Sequence, residues 1–114
     1  MTETGPQRRR FPRYRANLEA VVYLGSKTAT ARITQVSRGG CLIFPPLPPQ
    51  QNPGLKLSFR LAEDMPSINC KGVIVYSIND VGTGVAFREI SLYNQDLITD
   101  YFQKHVGTEK PSSP

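Results

Sequence analysis

The sequence predicts an all-β domain, a six-stranded antiparallel barrel accompanied by one C-terminal helix. Three observations carry that reading: short alternating or β-branched segments through the middle of the chain, turn residues at their junctions, and a change to helical spacing near the C-terminus. The 114 residues amount to one domain. Their 39% aliphatic and aromatic content, with moderate charge, suits a folded chain.

Taken in order, residues 1–16 are expected to form a flexible, Arg-rich arm, residues 17–106 the barrel and helix, and residues 107–114 a disordered tail. In the first strand, Leu18, Ala20 and Val22 alternate with Asn17, Glu19, Val21 and Tyr23, which buries one face. Gly25-Ser26 turns the chain. Residues 27–36, with Thr28, Thr30, Ile33 and Thr34, favour a second strand, and Ser37-Arg38-Gly39-Gly40 closes it. Residues 41–44 are a short apolar strand, stopped by Pro45-Pro46-Leu47-Pro48-Pro49, which cannot supply ladder donors. Residues 55–61 alternate Leu55, Leu57, Phe59 and Leu61 with Lys56, Ser58 and Arg60, the cleanest strand pattern in the chain. After a loop over 62–67, residues 68–78 form a fifth strand. Gly82-Thr83-Gly84 reads as a hairpin turn, and 84–90 as the last strand.

Tyr93, Leu97, Ile98, Tyr101, Phe102 and Val106 then recur at spacings of three and four, one apolar stripe on a helix, with Ser91 as N-cap and Gly107 as C′ residue. A small open sheet with a single helix leaves edges exposed, so six strands and one helix point to a closed or nearly closed barrel that the helix plugs or flanks.

The net charge of +5 is localised. Arg8, Arg9, Arg10, Arg13 and Arg15 fall together with no acid among them, and the nine other basic residues equal the nine acidic ones. Guanidinium is planar, grips phosphate with two parallel bonds and stacks on rings, so the use of arginine alone points to an anionic, ring-bearing ligand. A solvated basic tail or a nonspecific nucleic-acid or lipid anchor is the plainer alternative.

Several chemistries lack the residues they need. The one histidine, His105, falls in the last helical turn, where it interacts favourably with the helix C-terminus, and no Ser-His-acid or Cys-His set can be assembled elsewhere. Glu63-Asp64 reads as a solvated turn pair. No enzyme is expected. Cys41, Cys70 and a single histidine do not make a zinc site, and Gly82-Thr83-Gly84 lacks the following Lys and Ser/Thr of a phosphate loop. Neither metal nor cofactor is expected. Absence of a CxxC pair, of a signal segment and of an apolar run near the ~18 residues of a membrane span leads to a cytoplasmic expectation.

What remains is the arm with the turn at residues 35–40. Pro12 argues for an extended arm able to wrap a ligand, with Arg9 and Arg13 four residues apart. Gln35 offers an amide, Ser37 a hydroxyl, and Gly39-Gly40 backbone without Cβ. A guanine presents N7 and O6 to arginine and N1–H and N2–H₂ to a side-chain oxygen, so arm and turn together match both guanine and phosphate. Alone, Ser37-Arg38-Gly39-Gly40 reads equally well as a tight hairpin connection.

These residues resemble the PilZ domain family, whose members bind cyclic di-GMP through RxxxR and [D/N]xSxxG motifs. Arg9-Arg10-Phe11-Pro12-Arg13 fits the first, and Ser37-Arg38-Gly39-Gly40 the SxxG part of the second, with Gln35 where the family has Asp or Asn. Residues 71–76, 84–87 and the closing helix also look like the family, so the resemblance spans about residues 8–106.

The resemblance implies a cyclic di-GMP receptor serving motility, pilus or exopolysaccharide control through an unidentified effector protein. Arg9 and Arg13 would hold phosphates and guanine edges, and Arg8 or Arg10 would stack on a base. Gln35, Ser37, Gly39 and Gly40 would line the opposite side, with Arg38 adding a phosphate contact. The other reading it implies is a PilZ-like adaptor that binds no nucleotide, since Gln35 is neutral and one methylene longer than Asp. Nucleic-acid binding through the arm is disfavoured, because the strands carry no regular set of exposed aromatics for stacking bases. A monomer or weak dimer is expected.

Overall fold

Alternation decides which residues face inward. The computed structural model describes residues 11–105, which form strands β1 (Tyr14–Leu24), β2 (Lys27–Val36), β3 (Gly40–Phe44), β4 (Gly54–Phe59), β5 (Ile68–Ile78) and β6 (Gly82–Glu89), then helix α1 (Leu92–His105). The strands close into an antiparallel barrel in the order β1-β2-β3-β6-β5-β4. Closure thus gives each strand two neighbours, as the expected architecture requires.

Every strand sends at least one nearly inaccessible aliphatic side chain inward, among them Val22, Ile33, Ile43, Leu57, Ile68 and Val85. Each contributes about 1.5–3 kcal/mol by leaving water. Ile98 and Phe102 of α1 join this core, and Leu47 of the proline-rich loop is buried with it. Leu47 is fixed by its backbone N–H, which donates to Thr83 Oγ1 at 2.8 Å. The helix therefore closes the end of the barrel where β1 begins, and Leu47 the end where β5 turns into β6.

The limits of β2 and β5 coincide with those expected. Others moved. β1 starts at Tyr14, inside the stretch assigned to the arm, because the Tyr14 ring is buried and stacked on Phe102 with centroids 5.3 Å apart. β4 ends at Phe59 instead of continuing to Leu61. Beyond it the Arg60 guanidinium reaches back to Ser67 Oγ and the Glu63 carbonyl, both at 3.4 Å, and Leu61 leaves the ladder while staying buried. Gly82-Thr83-Gly84 is not a turn but the start of β6, with Thr83 wholly buried between Leu47 N–H and Ser77 Oγ. The turn lies at 79–81, where Val81 N–H donates to the Ile78 carbonyl and Asp80 takes φ 75°, a conformation Asp tolerates.

In α1, Ser91 is the N-cap: its hydroxyl oxygen accepts from Asn94 N–H at 3.0 Å. Leu97, Ile98, Tyr101 and Phe102 carry the apolar stripe, whereas Tyr93 is exposed and does not belong to it. Val106 and Gly107 lie outside the described residues.

Candidate functional site

The site is set by the register of β1 on β2. Tyr14 pairs with Val36 and Arg15 with Gln35. Tyr14 points inward, so by alternation Arg13 and Arg15 point outward, and both are exposed. Arg13, one residue ahead of the Tyr14–Val36 pair, stands at the level of Ser37. The β2–β3 register shifts between Ile33 and Gln35, so Ile33 and Val36 both face the core while Thr34 and Gln35 fall between them on the outer side. Thr34 Oγ1 donates to the Leu42 carbonyl at 3.3 Å. The Gln35 amide has no hydrogen-bond partner among the described residues.

The turn after β2 is held by its own backbone. Ser37 N–H donates to the Gly40 carbonyl at 2.8 Å, and Ser37 Oγ accepts from Gly39 N–H at 3.0 Å. The Gly39 carbonyl accepts from Phe87 N–H at 2.9 Å, which ties the turn to β6. The two glycines serve different neighbours. A Cβ on Gly40 would collide with the Val85 carbonyl oxygen, so Gly40 is required for β3 to lie against β6. A Cβ on Gly39 would stand 3.1 Å from Phe11 Cδ2. The arm therefore runs across the turn here, with the Phe11 ring resting on Gly39.

Arg38 is engaged with the helix. Its Nη1 donates to Asp96 Oδ1 at 2.8 Å and to Thr99 Oγ1 at 3.2 Å, while Gln95 Nε2 donates to the Arg38 carbonyl at 2.9 Å. Gln95, Asp96 and Thr99 share one face of α1, at the spacing that brings residues to one side of a helix. Arg38 thus stands in an ion pair, whereas Gln35, Arg13 and Arg15 present polar groups without partners among the described residues.

Of the residues singled out from sequence, Arg13, Gln35, Ser37, Arg38, Gly39 and Gly40 gather at this one corner of the barrel. Arg8, Arg9 and Arg10 lie outside the described residues. Phe11 and Arg15 belong to the arm singled out from sequence but were not among its expected ligand-binding residues, and the strand alternation around Tyr14 was the signal for Arg15. It also missed Gln95, Asp96 and Thr99, for which nothing local could have served.

Away from the corner, Cys41 and Cys70 are free thiols buried in the barrel. Burial pushes Cys70 up to about 11, and pushes Cys41 higher still, with the neighbouring Cys70 adding to it. Both are held neutral. Among the described residues no three His, Cys, Asp or Glu side chains come together to hold a metal ion, and no helix is long and apolar enough to cross a membrane.

The family model for the PilZ domain matches residues 7–104, spanning both the arm and the turn. The chain belongs to the PilZ domain family. Solved structures share the PilZ fold at low identity. The Bacillus subtilis inhibitor of motility, MotI/DgrA, superposes with a TM-score of 0.79 at 21% identity, over 91% of this chain and 54% of that one. The PilZ domain of CeSA from a cellulose-synthesizing bacterium gives 0.59 at 19%, over 82% of this chain and 99% of that one. The K. pneumonia MrkH–c-di-GMP complex gives 0.67 at 20%, over 95% and 55%. This chain thus spans about half the length of MotI/DgrA and of MrkH. A search of the curated proteins finds no match.

Proposed function

We propose that this PilZ domain is a receptor for cyclic di-GMP, and that residues 8–13 close over the bound ligand to alter the surface offered to an effector protein. The observation that carries the reading is the meeting of both motif segments at one corner: Phe11 lies on Gly39, and Arg15 stands across from Gln35. MrkH, a protein of similar fold, is known in complex with c-di-GMP, which supports the same ligand class here.

In this mechanism Arg9 and Arg13 take the phosphates and guanine edges from the arm side, and Arg8 or Arg10 stacks on a base. Gln35 meets the guanine N1–H and N2–H₂ edge through its carboxamide oxygen. The backbone around Ser37, Gly39 and Gly40 forms the opposite wall. Arg38 joins the phosphate by leaving Asp96, which links ligand occupancy to the helix. All of these are binding steps, and none forms or breaks a covalent bond.

The second reading is a PilZ-like adaptor without nucleotide. Two observations favour it: Gln35 replaces the acidic or Asn residue, and Arg38 and Gly40 already have structural occupations within the fold. Calorimetric titration with cyclic di-GMP at physiological salt separates the two. A receptor gives a saturable heat that Arg9→Ala and Arg13→Ala abolish and that cyclic di-AMP does not reproduce. Absence of heat at high protein concentration establishes the adaptor instead.

A further inference from the structure

At the end of the barrel remote from this corner, β5 outruns its neighbour. β4 covers it only as far as Val73, which pairs with Gly54, and one more bond follows, from Ile74 N–H to the Pro53 carbonyl at 2.9 Å. The chain leading into β4 contains Pro45, Pro46, Pro48, Pro49 and Pro53. Prolines carry no N–H, so this segment cannot continue the ladder. It runs beside the strand instead, and an open groove between the two is lined by Pro46, Pro48, Pro49, Pro53, Ile74 and Ser77. Residues 75–78 thus lack a partner strand on that side among the described residues.

The outer face beside this edge is apolar. Leu42, Gly84 and Tyr76 form one row across β3, β6 and β5, and the next outward row ends in Phe44 and Ile78. Phe44, Val75, Tyr76, Ile78 and Val81 are five of the nine large apolar side chains exposed among the described residues. Exposed apolar side chains gathered in this way on a monomer often mark an interaction surface.

We propose that residues 75–78 pair antiparallel with the same residues of a second copy of this chain, extending β3-β6-β5 across a two-fold axis. Charge selects this occupant. A two-fold antiparallel contact lays the segment on its own reversed sequence, 75 opposite 78 and 76 opposite 77, so a charged side chain within it would stand near its own copy across the axis. Residues 73–79 carry none, whereas Arg15, Glu19, Arg32, Lys56, Lys71, Arg88 and Glu89 stud the exposed faces of β1, β2, β4 and β6 and of the first half of β5. Lysine and proline, two of the residues that protect a sheet edge, are absent from residues 73–79. A four-residue strand pairing is small beside the ~800 Å² per partner of a standard stable interface, so weak association is expected.

Sedimentation of the full chain from about 5 μM to 1 mM tests this. The wild type is expected to pass from monomer to dimer, while Val75→Lys and Ile78→Lys, both at exposed positions, stay monomeric and folded by circular dichroism. Hydrogen exchange of the wild type supplies a readout that needs no variant, since the amides of residues 75–78 slow several-fold as concentration rises. A wild type that remains monomeric at 1 mM overturns the proposal. So does a dimer that leaves exchange at 75–78 unchanged.

Discussion

Arg38 Nη1 lies 2.8 Å from Asp96 Oδ1, so the turn that follows β2 is bolted to a helix 58 residues further along the chain. In the proposed receptor a phosphate and this carboxylate compete for one guanidinium. Asp96→Ala is therefore expected to tighten cyclic di-GMP binding in calorimetry. Asp96 is largely exposed, so the same change should cost stability only about 0.2–1 kcal/mol in thermal or urea melts. Arg38→Ala, in contrast, should weaken both.

Gln35 faces outward with its amide unused by the fold, so changing it should act on ligand and not on stability. Gln35→Asp restores a charge-assisted acceptor for the guanine N1–H and N2–H₂ edge. We expect roughly 1 kcal/mol of added binding, about a fivefold lower Kd, with an unchanged melting temperature. Gln35→Ala should move the Kd the other way.

Gly40 tests whether its motif position serves ligand or fold. Since a Cβ there meets the Val85 carbonyl, Gly40→Ala should destabilise the domain by about 1–3 kcal/mol, seen as a lower denaturant midpoint without any nucleotide present. An Ala variant as stable as the wild type would contradict the packing role given to this glycine.

The buried thiols set an alkaline limit. In the unfolded chain a cysteine loses its proton near pH 8.5, but in the barrel Cys70 is raised to about 11 and Cys41 further. The native state therefore keeps protons that the unfolded state releases. Stability should be flat below about pH 8.5 and fall as pH rises through about 11. Urea denaturation at stepped pH should show this, and Cys70→Ala should shrink the alkaline loss.

Much of the barrel was legible because strands advertise themselves locally. Residues 27–36 and 68–78 are bounded by turn residues, and their limits were read to the residue. Tyr14 was hidden because it sits between Arg13 and Arg15 after a proline, and only Phe102, far along the chain, makes it part of a strand. Gly82-Thr83-Gly84 imitated a hairpin turn, since two glycines around a threonine say nothing of the Leu47 N–H that awaits the hydroxyl. At the corner site, motif spacing located Gln35, Ser37 and Gly40. It could not tell that Gly40 answers to Val85, nor that Arg38 is matched by Asp96 and Thr99, because those contacts join segments that only the closed barrel brings together.

The stacking of Tyr14 on Phe102, with planes only 6° apart, also settles where the arm is tethered. Arg13 is bonded directly to that anchor, and Arg9 cannot stray more than about 14 Å from Arg13 along the chain. A nucleotide resting against Gln35 would therefore meet both arginines at an effective concentration in the millimolar range, a local excess that no free peptide of the same sequence could supply. Loosening the last turns of the helix would dilute those arginines without touching a single ligand contact.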